Sequence, residues 1–396
     1  MEAYLFDWLN LLVRWLHLIT GIAWIGSSLY FIWLDNHLEA PRDPADTDKG
    51  IAGEVWSVHG GGFYHAQKYK THPELLPANL HWFKWEAYWT WMSGIFLLGL
   101  IYFVGAEVYL IDRSVADMSA TMAITISVAF IIGSWVVYDL LCKSPLAKDT
   151  RVFAVILLLL STLLAWGLCS LFSGRAAYIL FGSALGTIMV ANVAHVIIPG
   201  QKAMLVAAER GELPDPAHGA NAKLRSVHNT YFTLPVLFVM TSNHFAMTYS
   251  HKYNWAILMA IAIAGALIRI YFVARHKGKT SLLPVVIAAA ILLALVAYMA
   301  PQTQQSDNAA VSFAQVENVI KARCTSCHSA APVHPAFPAA PLGVMFDDSA
   351  QILAEAERIY QQTVVMKVMP IGNLTAITDE ERQIINRWYQ SLKIGQ

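Results

Sequence analysis

Eight long apolar runs dominate this chain of 396 residues, and each is long enough to cross the ~30 Å hydrocarbon core of a bilayer as a helix. Only 14% of the residues are charged, whereas a soluble domain carries about 25%. We therefore predict an all-α fold, a polytopic membrane bundle of eight transmembrane helices. The runs are Phe6 to Leu34, Ala87 to Val108, Met118 to Cys142, Phe153 to Phe172, Tyr178 to Ile198, Asn229 to Thr248, Asn254 to Val273 and Leu282 to Ala300.

The composition changes abruptly after Ala300. Residues 301–311 read as a polar linker, and residues 312–396 read as a small soluble domain that follows the membrane domain of residues 1–300. The 27 basic residues are balanced by 27 acidic ones, so no electrostatic argument favours nucleic acid as a partner. We expect membrane lipid to surround the first domain.

The basic residues are concentrated in the odd-numbered loops, which predicts that these loops face the cytoplasm. The even-numbered loops hold only Arg113, Arg175 and Lys252. This bias predicts a multi-pass protein of the bacterial inner membrane, with the N-terminus and the soluble domain on the periplasmic side. The basic residues of the odd loops are Arg42, Lys49, Lys68, Lys70, Lys84, Lys143, Lys148, Arg151, Lys202, Arg210, Lys223, Arg225, Arg275, Lys277 and Lys279.

The soluble domain contains Cys324-Thr325-Ser326-Cys327-His328, the C-x-x-C-H spacing at which two thioethers hold a haem c. Cys324 and Cys327 are the predicted attachment residues, and His328 is the predicted iron ligand. A redox-active disulfide and a chance spacing of two thiols are the alternatives. In bacteria haem c is attached outside the cytoplasmic membrane, which agrees with the side predicted from the loop charges.

Met369 is the predicted second iron ligand, because a thioether on a loop after a helix can reach the far face of the ring. Met366 and Met345 remain alternatives. The sequence around these residues predicts a class I-like cytochrome c domain with three helices. They are Ser312 to Arg323, Ala350 to Val368, and a last helix that opens at Thr378 with a T-x-x-E capping box closed by Glu381.

Six short motifs of the membrane part resemble those of a known family. They are Trp15-Leu16-His17 and Trp24-Ile25-Gly26 in helix 1, Val58-His59-Gly60-Gly61-Gly62-Phe63-Tyr64 in the first loop, Leu80-His81-Trp82-Phe83-Lys84-Trp85-Glu86 before helix 2, and His228-Asn229-Thr230-Tyr231 with Ser242-Asn243-His244 around helix 6. With these motifs and its architecture, the whole chain resembles the membrane-bound, cytochrome c-linked urate oxidase (urate hydroxylase) family.

The resemblance implies oxidation of urate to 5-hydroxyisourate without hydrogen peroxide, the electrons leaving through haem c to the respiratory chain. It implies urate as substrate and an electron acceptor such as a soluble cytochrome c or a terminal oxidase. Helix 1 also resembles, locally, the first helix of the membrane protoporphyrinogen oxidases, which are associated with haem b. The alternative function is a non-enzymatic membrane cytochrome that relays electrons from quinol or a partner protein.

Four histidines lie within or beside predicted spans, where ionisable side chains are costly and are therefore functional candidates. The predicted helix directions place His17 and His244 in the outer half of the membrane and His195 close to His228 in the inner half. The alternative for each is a histidine that simply hydrogen-bonds to a neighbouring helix.

His17 is a candidate ligand of a haem b, with His244 as the candidate second ligand. Gly21, one turn away on the same helix face, would let a flat ring approach, and Arg14 would pair with the haem propionates. Snorkelling of Arg14 to the interface and a close helix contact at Gly21 are the alternatives.

The first loop is about fifty residues long and contains a glycine run flanked by aromatic and basic residues. Backbone amides, an aromatic ring and a cation suit a flat monoanion such as urate, so His59, Tyr64 and Lys68 are substrate candidates. A simple turn is the alternative for the glycines. In the bundle, the further substrate or catalytic candidates are His195, His228 and Tyr231.

Overall fold

The computed structural model describes residues 2–276, 278, 280–300 and 311–394. Of the predicted linker 301–311, all but the last residue lies outside the described residues. The first part of the chain contains α1 (Glu2–Asn36), α2 (Pro44–Asp48), β1 (Ile51–His59), β2 (Gly62–Tyr69), α3 (Trp85–Leu97), α4 (Ala120–Lys143), α5 (Thr150–Cys169), α6 (Gly174–Asn192), α7 (Ile198–Glu209), α8 (Pro216–Ser242), α9 (Ala246–Tyr249), α10 (Asn254–His276) and α11 (Leu283–Tyr298).

Each of the eight predicted apolar runs is helical, and five helices of the described residues are long and apolar enough to cross a membrane. These five are Tyr4–Asn36, Ala120–Lys143, Thr150–Leu171, Gly174–Glu209 and Asn254–His276. The eighth run forms a shorter apolar helix, Leu283–Tyr298. The chain is therefore mainly helical, and its apolar helices are consistent with a membrane protein.

Two of the predicted runs are helices interrupted by π-helical segments, which are common at functional sites. After α3 the chain continues through the π-helical segments Leu98–Phe103 and Ala106–Leu110. The π-helical segment Val193–Ile197 joins α6 to α7, so that one helical rod runs from Gly174 to Glu209. The predicted end at Ile198 was wrong, because this π-helical segment accommodates Pro199 without ending the rod.

Helix α8 begins thirteen residues before the predicted start at Asn229. The reason is a strong local start signal, in which Asp215 accepts a hydrogen bond from the amide of Ala217 and Pro216 occupies the first helical position. His228 therefore lies well inside the helix instead of at its start. Pro235 lies further along the same helix.

The prediction of an all-α fold misses a β-hairpin in the first loop. Strands β1 and β2 are antiparallel, and His59 pairs with Gly62 across a two-residue turn. Gly60 and Gly61 both have positive φ angles, 56° and 81°, as the preferred two-residue hairpin turn requires. The glycine run is therefore the turn of a hairpin, which was the alternative interpretation.

The largest core of the membrane part surrounds α6, which packs against α4, α5 and α8. Gly182 allows the closest of these approaches, since a Cβ placed there would lie 2.6 Å from Cγ1 of Val239 on α8. Small residues at helix contacts let backbones approach inside membranes, where dispersion contacts replace the hydrophobic effect as the driving force.

We expect Gly182→Ala to destabilise the bundle by about 1–3 kcal/mol, because the stiff Val239 side chain cannot move aside without strain. Thermal unfolding of the detergent-solubilised protein measures this as a lowered midpoint. Gly186→Ala, one turn along the same helix, is the control, since a Cβ there meets nothing within 4 Å. Equal midpoints for the two variants would contradict the close packing.

The two ends of the bundle differ in character. At the end that we call the basic end, Lys223 of α8 pairs with Asp35 of α1 at 3.5 Å, and His276 of α10 contacts the ring of His37 at 5.0 Å. At the other end, which we call the domain end, Gly372 of the C-terminal part approaches the backbone that follows α3.

The C-terminal part is a second, smaller core built from α12 (Phe313–Arg323), α13 (Ser349–Ala354), α14 (Ala356–Tyr360) and α15 (Asp379–Ile394). Helix α12 follows the prediction and begins with a capping box formed by Ser312 and Gln315. The predicted single helix from Ala350 to Val368 is divided instead into α13, α14 and the π-helical segment Gln361–Val365.

Candidate functional site

The C-x-x-C-H motif lies at the end of α12, where the chain turns so that the amide of His328 donates to the carbonyl of Cys324. Cys324 and Cys327 are both free thiols, and burial raises the pKa of Cys324 to about 12. His328 Nδ1 lies 3.0 Å from the carbonyl oxygen of Val344. A carbonyl can only accept, so Nδ1 carries the proton and Nε2 keeps its lone pair.

This donor set fits a haem c. Metal-binding histidines typically donate the other ring N–H to a carbonyl, which fixes the ring and its tautomer. His328 has this arrangement, and the free cysteines Cys324 and Cys327 precede it at the C-x-x-C-H spacing. Met369, the predicted second ligand, lies in the loop after Gln361–Val365, and Arg382 Nη1 donates to its carbonyl at 2.9 Å.

The capping box predicted at the start of α15 is present and carries an ion pair. Thr378 and Glu381 bond each other's backbone amides at 2.8 and 3.2 Å, and Arg323 Nε and Nη2 lie 3.0–3.1 Å from the Glu381 carboxylate. Burial alone would raise the pKa of Glu381, but Arg323 and the Thr378 amide outweigh it and hold that pKa below its usual value. The pair ties the helix before the motif to the last helix.

A glutamate with a lowered pKa stabilises the fold above its unfolded pKa of about 4.3, and this contribution disappears as the pH falls through the folded pKa. We therefore expect Glu381→Gln to weaken the C-terminal part by about 1 kcal/mol at pH 7 and to have little effect at pH 3. Hydrogen exchange of peptides from α12 and α15 measures this. Glu380→Gln is the control, because Glu380 is an exposed neighbour of Glu381. A loss of stability in Glu381→Gln that stays the same at pH 3 would contradict the prediction.

A cavity of about 760 Å³ lies between the domain end of the bundle and the C-terminal part. Arg175, Asn243 and His244 line it from the bundle, and Met366, Met369 and Arg382 line it from the other side. Arg175 Nε donates to Asn243 Oδ1 at 3.2 Å. A Cβ on Gly372 would lie 3.0–3.1 Å from the carbonyls of Val108 and Ile111, so glycine is what permits this contact between the two parts.

His17 points from α1 toward α3. Its Nδ1 lies 3.0 Å from the carbonyl of Thr90 and 3.1 Å from Ser93 Oγ, so Nδ1 carries the proton and Nε2 keeps its lone pair, as at His328. The glycine beside the ring is Gly94 of α3, where a Cβ would lie 2.9 Å from Cε1. Gly21 instead lies near side chains of α3 and α8, as the close-contact alternative describes.

The other two haem b candidates have different surroundings. His244 is exposed in the turn after α8 and lines the cavity at the domain end, whereas the hydrogen bonds of His17 are with α3. Arg14 is also exposed, and its Nη2 donates to Asn10 Oδ1 at 3.2 Å. His17 therefore fits a ligand of an iron by its tautomer, while no contact in the described residues joins it to His244.

A buried polar network lies near the basic end, where α4, α6 and α8 meet. The Tyr138 hydroxyl lies 2.8 Å from His228 Nδ1, and Asn192 Nδ2 donates to the same hydroxyl at 3.1 Å. Phe153 stacks on the His228 ring with centroids 4.8 Å apart. His228 Nε2 has no hydrogen-bond partner among the residues that the structure describes and is free for a ligand.

The network continues through a buried ion pair. Arg225 Nη2 donates to Asp139 Oδ1 at 2.8 Å, and Arg225 Nη1 donates to Asn192 Oδ1 at 3.1 Å. Asn192 and Asn229 bond side chain to side chain at 2.9 Å. Arg225 is only 4% exposed, so these partners satisfy a charge that would otherwise be very costly to bury.

His195 does not join this network. It is exposed, and its ring stacks on Trp135 of α4, one turn from Tyr138, with centroids 5.3 Å apart. Tyr231 lies one turn after His228 on α8, within electrostatic range of Arg269 on α10.

The three candidates of the first loop are spread along the hairpin. His59 and Tyr64 are exposed on β1 and β2, and Lys68 pairs with Asp35 at the end of α1. The hairpin also contains a pair that the sequence did not indicate, in which His65 stacks on Trp56 and bonds Glu54 at 2.8 Å. The structure does not bring His59, Tyr64 and Lys68 together with His228.

Sequence reasoning missed Tyr138, Asp139, Asn192, Arg225 and Arg269. Asp139 and Arg269 lie inside predicted spans, so the rule that ionisable residues in hydrocarbon are functional candidates could have found them. Arg225 was counted with the loop residues, because α8 was predicted to begin after it.

Comparison with protein families decides the identity of the membrane part. The family model described as urate oxidase N-terminal matches residues 3–300, well over half of the chain. The chain belongs to this family. Searches of the curated proteins and of the solved structures give no match.

The urate oxidase part of the resemblance is thereby confirmed, and family membership indicates an oxidoreductase that acts on urate. The match ends at residue 300, where the predicted membrane domain ends. The C-terminal part with its C-x-x-C-H motif lies beyond the matched region.

Proposed function

We propose that this protein is a membrane urate oxidase that converts urate to 5-hydroxyisourate and transfers the electrons to a covalently bound haem c. Water supplies the new hydroxyl oxygen, urate loses two electrons, and urate and water together release two protons; because the electrons go to haem and not to oxygen, hydrogen peroxide is not formed. A soluble cytochrome c or a terminal oxidase of the respiratory chain then accepts the electrons. The positive loops favour an inner-membrane protein with the basic end in the cytoplasm and the C-terminal part in the periplasm.

One observation carries this proposal. The loop that holds Met369 continues to Gly372, which packs against the backbone of Val108 and Ile111 at the domain end of the urate oxidase region. A redox domain seated directly on the membrane part suits an enzyme whose electrons must leave the bundle. A freely tethered cytochrome would not need this contact.

The residues that would hold haem c are Cys324 and Cys327 by thioether bonds, and His328 and Met369 at the iron. When bound, the haem supplies one-electron redox chemistry, with a potential raised by a thioether ligand. The hydrogen bond from His328 Nδ1 to Val344 orients the ring before any iron is present. Arg382 holds the backbone at Met369 in the same way.

Proton removal from urate is best assigned to His228 and Tyr138. Positioned side chains that accept protons contribute typically 10²–10⁴-fold to rates. His228 Nδ1 lies 2.8 Å from the Tyr138 hydroxyl, to which Asn192 also donates, and this hydrogen bond would let the pair share a proton, while Nε2 is open toward a ligand. His17, whose tautomer suits an iron ligand, is the residue that would hold a haem b in the bundle, and that haem would supply one-electron redox chemistry there.

Addition of urate to the purified, oxidised protein under argon tests the function. We expect reduction of haem c, seen in the visible spectrum, and formation of 5-hydroxyisourate. Pyridine haemochrome analysis should show c-type and b-type haem, with Cys324→Ala weakening covalent attachment of the first and His17→Ala removing only the second. Reduction by quinol but not by urate would favour the electron-relay alternative and reject the oxidase.

Tyr138→Phe tests the proton-handling pair. We expect kcat to fall by about 100-fold with little change in KM, because the phenylalanine keeps the packing but removes the hydrogen bond to His228. Tyr178→Phe is the matched control, since that buried tyrosine also loses two hydrogen bonds, to Thr248 and Asn254, at the domain end. Equal losses in both variants would indicate a structural effect.

A further inference from the structure

A buried arginine without a hydrogen-bond partner lies in α10. Arg269 is 6% exposed, and its Nε and Nη2 atoms are buried with no acceptor among the described residues. These two nitrogens form one edge of the planar guanidinium, the edge that donates two parallel hydrogen bonds to neighbouring acceptors. The free edge is therefore the one best suited to bind an anion.

Arg225 shows how this protein satisfies a buried guanidinium when the role is structural. Its nitrogens bond Asp139 and Asn192, and it is as deeply buried as Arg269. Arg269 has no comparable acid among the residues that the structure describes. Of these, Tyr231 and His276 lie within electrostatic range of it, and neither carries a negative charge at neutral pH.

A second orphaned group lies in the same region. His276 Nδ1 is buried without a partner among the described residues, and its ring contacts His37 at the basic end. Two turns of α10 separate His276 from Arg269. Two unsatisfied polar side chains on one helix, near one end of the bundle, indicate a shared site that the protein does not fill by itself.

The backbone at this point has a further acceptor. Gly265, one turn before Arg269, lets α10 approach Leu234 of α8, where a Cβ would lie 3.2 Å from the Leu234 Cβ. The next residue, Pro235, has no N–H, so the carbonyl of Tyr231 loses its usual helical donor. A ligand beside Arg269 and Tyr231 would find the guanidinium donors on one side and, on the other, a carbonyl without its usual helical donor.

We propose that Arg269 binds the urate monoanion through its Nε and Nη2 edge, with Tyr231 and His276 lining the same site. This inference rests on the proposed function and names the residue that holds its substrate. Urate is a flat anion with adjacent acceptors and ring N–H donors, which matches the guanidinium edge and the Tyr231 carbonyl. Tyr231 and His228 are one turn apart on α8, so the site adjoins the proton-handling pair.

The cavity at the domain end is the rival location for the substrate. It also contains an arginine, Arg175, but Nε of that residue already donates to Asn243 and its guanidinium lies 5.4 Å from the Tyr109 ring centroid. The guanidinium edge that would donate two parallel hydrogen bonds to an anion is thus occupied in Arg175 and free in Arg269.

Thermal unfolding of the full-length protein in nanodiscs, with and without urate, tests the proposal. Wild type should show a midpoint that rises with urate concentration, because a ligand that binds only the folded state stabilises it. In Arg269→Met this rise should disappear, while the midpoint without urate stays equal or increases, since an unpaired buried charge has been removed. KM for urate should increase at least about 30-fold in turnover assays.

Arg269→Lys keeps the charge without the two-donor edge, so it should retain only part of the urate effect. Arg210→Met is the control, because Arg210 is an exposed arginine at the end of α7 and should leave the urate effect unchanged. An unchanged urate effect in Arg269→Met, or a loss confined to Arg175→Met, would overturn the assignment. A lower midpoint of Arg269→Met without urate would show a structural role instead and overturn it equally.

Failure of the proposed function has a different signature. If wild type neither shifts with urate nor is reduced by it, the oxidase proposal fails, and the assignment of Arg269 fails with it. If wild type responds to urate and the Arg269 variants respond equally, only the location of the site is wrong.

Discussion

The organisation of this protein depends on one constraint, that a polar group inside a membrane bundle has no water to bond and must find its partner in the protein or in a ligand. The network of Tyr138, Asn192, Arg225 and Asp139 obeys this constraint completely, each member bonding another. It joins α4, α6 and α8 and so holds the helices that frame His228. The same constraint makes Arg269 informative, because its buried Nε and Nη2 have no acceptor among the described residues, which supports the anion site proposed for it.

Close packing and helix irregularities then determine where functional groups can lie. Gly182 and Gly265 each let α8 approach a neighbouring helix, α6 and α10 respectively. The π-helical segment Val193–Ile197 directly follows Asn192, and Ala106–Leu110 leads to the contact with the C-terminal part. The regular helices thus supply the frame, and the irregular segments adjoin the polar network and the contact between the two parts.

Two histidines that lie far apart in the molecule have the same hydrogen-bond arrangement. His328 and His17 each direct Nδ1 to a backbone carbonyl, Val344 and Thr90, and each keeps the Nε2 lone pair free. This is how proteins prepare a histidine to bind a metal. In the C-terminal part, His328 follows two free thiols at haem c spacing. In the bundle, the ring of His17 lies beside Gly94.

The apolar runs, the C-x-x-C-H motif, the capping box at Thr378 and the resemblance to urate oxidases could all be recognised in the sequence alone, because each is a local pattern or a motif. The tertiary structure decided the rest. It showed that α8 begins at Pro216, that the glycine run is a hairpin turn, and which polar residues of separate helices meet. Whether an arginine is satisfied, like Arg225, or unpartnered, like Arg269, depends on residues dozens of positions away, and only the packing of helices brings those residues together.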